Sequence, residues 1–145
     1  MKVKNTSFFK TAKIKEVIRF VKPPGITKFD IWIKTGHKRD WRGRAYFSGC
    51  SYHETFCPYV SLAISPKNKY PIIHVPEQKR GYLPFKAFTD IELLVNLVAH
   101  ELRHLWQKKH PKGWRVWGSR GQFSERDADA YAIHKVRQWR RRENV

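Results

Sequence analysis

The sequence predicts an α+β fold, and three observations carry that prediction. Short apolar–polar alternations occupy the first part of the chain, to about residue 88. Two long stretches with apolar residues at helical spacing occupy the rest, from about residue 89 to 145. Turn residues punctuate the short segments, but no low-complexity linker or internal repeat divides the 145 residues, so residues 1–145 are expected to form one domain.

The elements can be justified in order. Ile14 to Val21 (IKEVIRFV) alternates imperfectly, so helix and strand compete there until Pro23-Pro24-Gly25 ends the segment. Lys28 to Lys34 (KFDIWIK) places Phe29, Ile31 and Ile33 on one side and reads as a half-buried strand. Arg44 to Ser48, Tyr59 to Ile64 and Tyr70 to Val75 are further short strands, the last placed at a sheet edge or strand start by Pro71. A helix follows from about Asp90 to Lys109. Thr89 and Glu92 form a capping box at its start, Ile91, Leu94, Val95, Val98, Leu102 and Leu105 form its buried face, and Pro111 and Gly113 stop it. A second helix runs from about Glu125 to Arg141, with Ser124 and Asp127 as its capping pair and Ala128, Tyr131, Ala132 and Val136 on its packed face. Arg140, Arg141 and Arg142 lie at its C-terminal end, where the macrodipole favours cations.

Composition bounds the function. Hydrophobic residues make up 41% and aromatics 14%, enough for a ring-rich core. No apolar run approaches the roughly 18 to 20 residues that span a bilayer, and the charged start lacks the apolar block of a secretory signal. A soluble, cytoplasmic monomer with no membrane partner is expected. Cys50 and Cys57, spaced C-x6-C, suit neither a zinc knuckle nor a disulfide scaffold and read as two reduced cysteines, with a disulfide as the alternative. Thirty Lys and Arg against twelve Asp and Glu give a net charge of +18. Such a field attracts polyanions, nucleic acid first, although the cations are spread along the whole chain. Trp106, Trp114, Trp117 and Trp139, interleaved with Arg103, Lys108, Lys109, Lys112, Arg115 and Arg120, suit either core packing or a stacking surface for single strands.

The chemistry concentrates in His100-Glu101-Leu102-Arg103-His104. Histidines at i and i+4 lie one turn apart on one helix face, so both can reach one ion, and imidazole nitrogen suits Zn2+. Glu101 follows the first ligand and can take a proton from water as catalytic base. A catalytic site of this kind wants a third protein ligand and an open position. Glu125 supplies the ligand from the first turn of the second helix, after twenty intervening residues counted from His104. Asp129, one turn further, can orient a ligand histidine, whereas Asp127 lies about 160° away from Asp129 around the helix and is a poor candidate. Arg103 needs an acidic partner, Asp127 or Asp129. Tyr131 and His134, with His110 and His74, are the candidate donors to a transition-state oxyanion.

AHELRHLWQ followed by SERDADAYA resembles the gluzincin group of zinc metallopeptidases, and within it the minigluzincins and the ImmA/IrrE-like one-domain peptidases. The resemblance covers roughly residues 89 to 135. It implies a minimal zincin-like fold: a small, mostly antiparallel sheet packed on an active-site helix and a glutamate helix. It also implies one Zn2+ ion held by His100, His104 and Glu125, a protein or peptide substrate, and an edge strand above the active-site helix that pairs with extended substrate. Tyr59 to Ile64 and Tyr70 to Val75 are the candidates for that strand. The expected function is zinc-dependent peptide-bond hydrolysis. The alternative is a basic nucleic-acid-binding module whose zinc is structural or whose metal site is inactive.

Overall fold

In the computed structural model, residues 1–47, 58–76, 82–110 and 125–144 are described. The element order is β1 (Val3–Thr6), α1 (Thr11–Val21), β2 (Asp30–Thr35), β3 (Trp41–Tyr46), β4 (Tyr59–Ile64), β5 (Ile72–His74), β6 (Phe85–Ala87), α2 (Asp90–Lys109) and α3 (Glu125–Glu143). Four strands form one sheet in the order β1-β2-β4-β3, and β5 and β6 form a separate two-stranded sheet.

The segment that the sequence leaves between helix and strand is a helix. Ile14, Val17, Ile18 and Val21 recur at i, i+3, i+4 and i+7, and all four are buried on one face of α1. This has a topological consequence. Because α1 carries the chain back across the sheet, β2 starts at the same end as β1 and pairs with it in parallel. β2 and β4 are parallel as well, and β3 runs antiparallel to β4. The four-stranded sheet is therefore mixed, while β5 and β6 pair antiparallel, which corrects the expectation of a mostly antiparallel sheet.

Alternation decides which side of the sheet is covered. Ile31, Ile33, Val60, Leu62 and Ile64 are all but fully buried, in one cluster with the apolar faces of α1 and α2. α2 is the central helix and is buried almost all round from Glu92 to Ala99, because the sheet, α1 and α3 each take part of its surface. Its start is capped by Thr89, whose Oγ1 accepts from the Glu92 backbone N–H at 3.1 Å. Glu92 does not close the box on Thr89. Its carboxylate accepts from the Phe88 N–H and from the guanidinium of Arg140, so it ties α3 to α2. α3 buries Ala128, Ala132, Val136 and Trp139. The Trp139 ring meets Phe20 of α1 edge-on at 5.2 Å, which closes the three-helix contact. Among the described residues, no helix is long and apolar enough to cross a membrane. Cys50, Cys57, Trp114, Trp117, Arg115, Arg120, Lys112 and Ser124 lie outside the described residues.

Candidate metal centre

α2 presents His100 and His104 toward the first turn of α3, as the i, i+4 spacing requires. Their rings stand edge to face with centroids 4.7 Å apart, and the two Nε2 atoms are 3.1 Å apart. Glu125, the first residue of α3, lies 3.0 Å from His100 Nε2 through Oε2 and 3.3 Å from His104 Nε2 through Oε1. Among the described residues these three form a group whose donor atoms all fall within 4.8 Å of one another.

The other ring nitrogens are also engaged. His100 Nδ1 donates to Asp129 Oδ1 at 2.8 Å, and the second Asp129 oxygen accepts from the Leu83 N–H, also at 2.8 Å. His104 Nδ1 faces Gln107 Oε1 at 2.9 Å. Gln107 donates through Nε2 to Asp127 Oδ2 at 3.0 Å, which fixes its amide so that Oε1 accepts from the imidazole. Asp127 in turn receives both Arg103 Nε (2.7 Å) and Nη2 (3.1 Å). A buried chain, Arg103–Asp127–Gln107–His104, therefore sets one histidine, and Asp129 sets the other. In both rings the Nδ1 hydrogen is directed to an acceptor, so Nε2 is the atom that faces the cluster.

Electrostatics follow the geometry. Burial pulls the His100 imidazole down, but hydrogen bonds to Asp129 and Glu125 and the charge of Glu101 outweigh it and raise it to about 10. Burial acts to raise Glu125, and hydrogen bonds from the two histidines overcome it and hold the carboxyl well below the usual range. Glu101 goes the other way. It is 6% exposed, and burial lifts its carboxyl above the ordinary value although His100 and His104 pull it down. Its Oε1 lies 4.0 Å from His100 Nε2.

The cluster opens into a cleft of about 510 Å³ whose walls include Trp41, Gly43 and Ala45 of β3, together with His74 and Leu83. β3 is an outer strand of the sheet. Of the two segments expected to serve as edge strand, Tyr59–Ile64 is interior, hydrogen-bonded to β2 on one side and β3 on the other, and Ile72–His74 pairs with β6 outside the main sheet. The strand beside the cluster is β3 instead. Gly43 is the point of closest approach: a Cβ there would lie 3.0 Å from Glu101 Oε1 and 2.7 Å from Leu62 Cδ2.

The structure thus brings together His100, Glu101, His104, Glu125 and Asp129. It does not bring Tyr131 or His134 to them. The Tyr131 hydroxyl donates to the Val21 carbonyl of α1, and His134 is exposed on α3. His110 stacks on Trp106 at the far end of α2, whereas His74 lines the cleft. Arg103 chooses Asp127, which leaves Asp129 to His100. Sequence reasoning missed Gln107, fully buried one turn beyond His104, and set Asp127 aside because it points away from Asp129. That same divergence lets the two carboxylates serve different histidines. Comparison of the chain with models of known protein families, with curated proteins and with solved structures returns no match, so the reading of this centre rests on its own chemistry.

Proposed function

We propose that the chain is a zinc-dependent peptidase of the gluzincin kind, with His100, His104 and Glu125 holding one Zn2+ and Glu101 as the general base. One observation carries the reading. One atom from each of His100, His104 and Glu125 lies within 4.8 Å of the other two. The two Nε2 atoms are 3.1 Å apart and each Nε2 faces a different Glu125 oxygen, at 3.0 and 3.3 Å, close to the roughly 3.3 Å that separates ligands at about 2.0–2.2 Å around zinc. The donor set, two imidazoles held by oriented Nδ1–H groups and one carboxylate, suits zinc, whose binding would displace the proton from His100 Nε2, and the cleft leaves room for a water. When bound, zinc supplies Lewis acidity, lowering the pKa of water and polarising a carbonyl.

The protein's own groups do the rest. Glu101 faces the cleft from a buried position that raises its affinity for a proton. It takes the proton from the attacking water and returns it to the leaving amine. An extended peptide can lie along the outer edge of β3, where backbone groups facing away from β4 accept a further strand. Gly43 keeps that strand close to Glu101. His74, on the cleft wall, is the side chain placed to donate to substrate oxygen.

The test is a paired one. Glu101→Gln should retain one zinc per chain by metal analysis while hydrolysis of a peptide library falls about 10²- to 10⁴-fold. Glu125→Ala should lose the metal. Wild type that takes up no zinc, or a Glu101→Gln variant that turns over normally, overturns the proposal.

A further inference from the structure

The face of the sheet turned away from the core has a chemistry of its own. The strand register pairs Lys4 with Trp32, Trp32 with Ser61, and Ser61 with Arg44, so these four form one row across β1, β2, β4 and β3. On one side of it runs the row Asp30, Tyr59 and Tyr46, and on the other Thr6, Lys34, Ala63 and Arg42. The rows lie opposite the buried Ile31, Ile33, Val60 and Leu62. Small Ser61 leaves a hollow of about 480 Å³ between Trp32, the two tyrosines and the lysines of β1 and β2.

Flat rings and cations interleave on this face. Tyr46 and Tyr59 stack at 4.4 Å and 10°, with the Arg44 guanidinium 5.3 Å from the Tyr46 ring. Trp32 is half-buried, is anchored by its Nε1–H to Thr6 Oγ1 at 3.0 Å, and has Lys4 Nζ at 4.1 Å and Lys34 Nζ at 4.5 Å from its ring. Strand spacing and rise put Trp32 and Tyr46 about 12 Å apart, a separation that two steps of an extended strand can bridge. The rows hold one carboxylate, Asp30, nearly buried and accepting from the Lys2 backbone N–H.

We propose that this sheet face binds single-stranded nucleic acid. Bases stack on Trp32 and on Tyr46, which rests on the buried Tyr59 ring, and Lys4, Lys34 and Arg44 hold the phosphates. Charge complementarity selects a polyanion: those rows carry four cations, Lys4, Lys34, Arg42 and Arg44, against Asp30, on a chain of net charge +18. The rings select bases over a lipid surface, because no aliphatic side chain larger than Ala63 occurs in these rows. Binding exchanges two exposed cation–π contacts for base stacking and two phosphate contacts, and stacking on a tryptophan is the stronger interaction. The hollow lies on the opposite face of the sheet from α2, while Arg42 and Arg44 of β3 also border the cleft.

The experiment uses the full chain and fluorescein-labelled 12-nucleotide dT and rU strands, with a 12-base-pair duplex beside them. Fluorescence anisotropy should show the single strands binding more tightly than the duplex. Trp32→Ala should weaken binding about 5- to 150-fold, and Trp32→Phe should restore much of it. Removing Lys4 and Lys34 together should flatten the slope of log K against log salt by about 1.4, or about 0.7 per phosphate contact. Ser61→Glu puts a carboxylate into the hollow and leaves Trp32, Tyr46 and the lysines in place, so a loss there reports repulsion of the polyanion. Wild-type binding in folded Trp32→Ala and Ser61→Glu, a duplex preferred over both strands, or no binding at low salt each overturns the proposal. The readout is binding, so it stands or falls apart from the peptidase reading.

Discussion

At the scale of single residues, the candidate metal cluster depends on side chains that touch none of the atoms that would coordinate the ion. Gln107 is fully buried and has its amide committed at both ends, to His104 Nδ1 and to Asp127. Replacing it with Leu keeps the volume but frees the His104 ring to rotate or change tautomer. Zinc affinity should fall about 10- to 100-fold, read by competition with a chromogenic chelator. Asp127→Ala should cost more in stability than in affinity, about 3–5 kcal/mol in urea denaturation, because it strands the Arg103 guanidinium beside a buried amide. An equal loss in both variants would mean that Asp127 acts only through Gln107. Tyr70 presents the opposite case. Its hydroxyl oxygen is buried and has no hydrogen-bond partner among the described residues. Tyr70→Phe should therefore be neutral or stabilising. Burial, reinforced by Asp90, lifts the Tyr70 phenol to about 12, and burial lifts Tyr131 to about 12 against the pull of Arg103. Both folded values lie above the unfolded value of about 10. The folded chain thus holds more protons in that window, and their contribution to stability, complete below about pH 10, is lost as pH rises toward 12. Tyr70→Phe should make alkaline unfolding less steep, followed by circular dichroism, while Tyr131→Phe should lose about 1 kcal/mol at neutral pH with its bond to the Val21 carbonyl.

At the scale of elements, β3 decides whether the cleft can work. It is an outer strand, it forms one wall of the cleft, and its Gly43 admits the Glu101 side chain. A methyl at 43 would press on Leu62 Cδ2 at 2.7 Å and on Glu101 Oε1 and Cγ at 3.0 and 3.1 Å. Leu62 is locked in the core, so Glu101 has to give way. Gly43→Ala should cost about 1–3 kcal/mol of stability and lower kcat while zinc stoichiometry stays at one. Unchanged kcat would show that Glu101 has room to spare. None of this was readable from the chain alone, and the reason is physical. α2 and α3 were legible to within a residue or two because long amphipathic helices repeat their signal. The pair His100 and His104 was legible because helical geometry alone brings them together. β1 and β6 are four and three residues long, too short to show a period. The sheet order depended on α1: once IKEVIRFV is a helix, β1 and β2 become parallel and β3 is displaced to the edge. Gln107 carried no signal, since a glutamine one turn after a histidine also suits an exposed helix.

At the scale of the whole molecule, the candidate metal cluster sits between α2 and α3, with His104 buried and His100 and Glu125 partly exposed beside the cleft. The apolar core itself runs through Ile14, Phe29, Ile31, Leu62, Leu94, Val98, Leu102 and Trp139. α2 and α3 are already joined by Arg103–Asp127 and Arg140–Glu92, ion pairs independent of any ion. A structural zinc site, by contrast, unfolds its domain when the metal is withdrawn. Chelation should therefore abolish hydrolysis while far-UV circular dichroism and a cooperative thermal transition persist. The melting temperature should fall only by the linkage term, about 2.7 kcal/mol of stabilisation when free zinc is a hundredfold above Kd. Returning zinc should restore both activity and melting temperature. Loss of the cooperative transition on chelation would make the metal part of the fold, and with it the structural-zinc reading would replace the catalytic one.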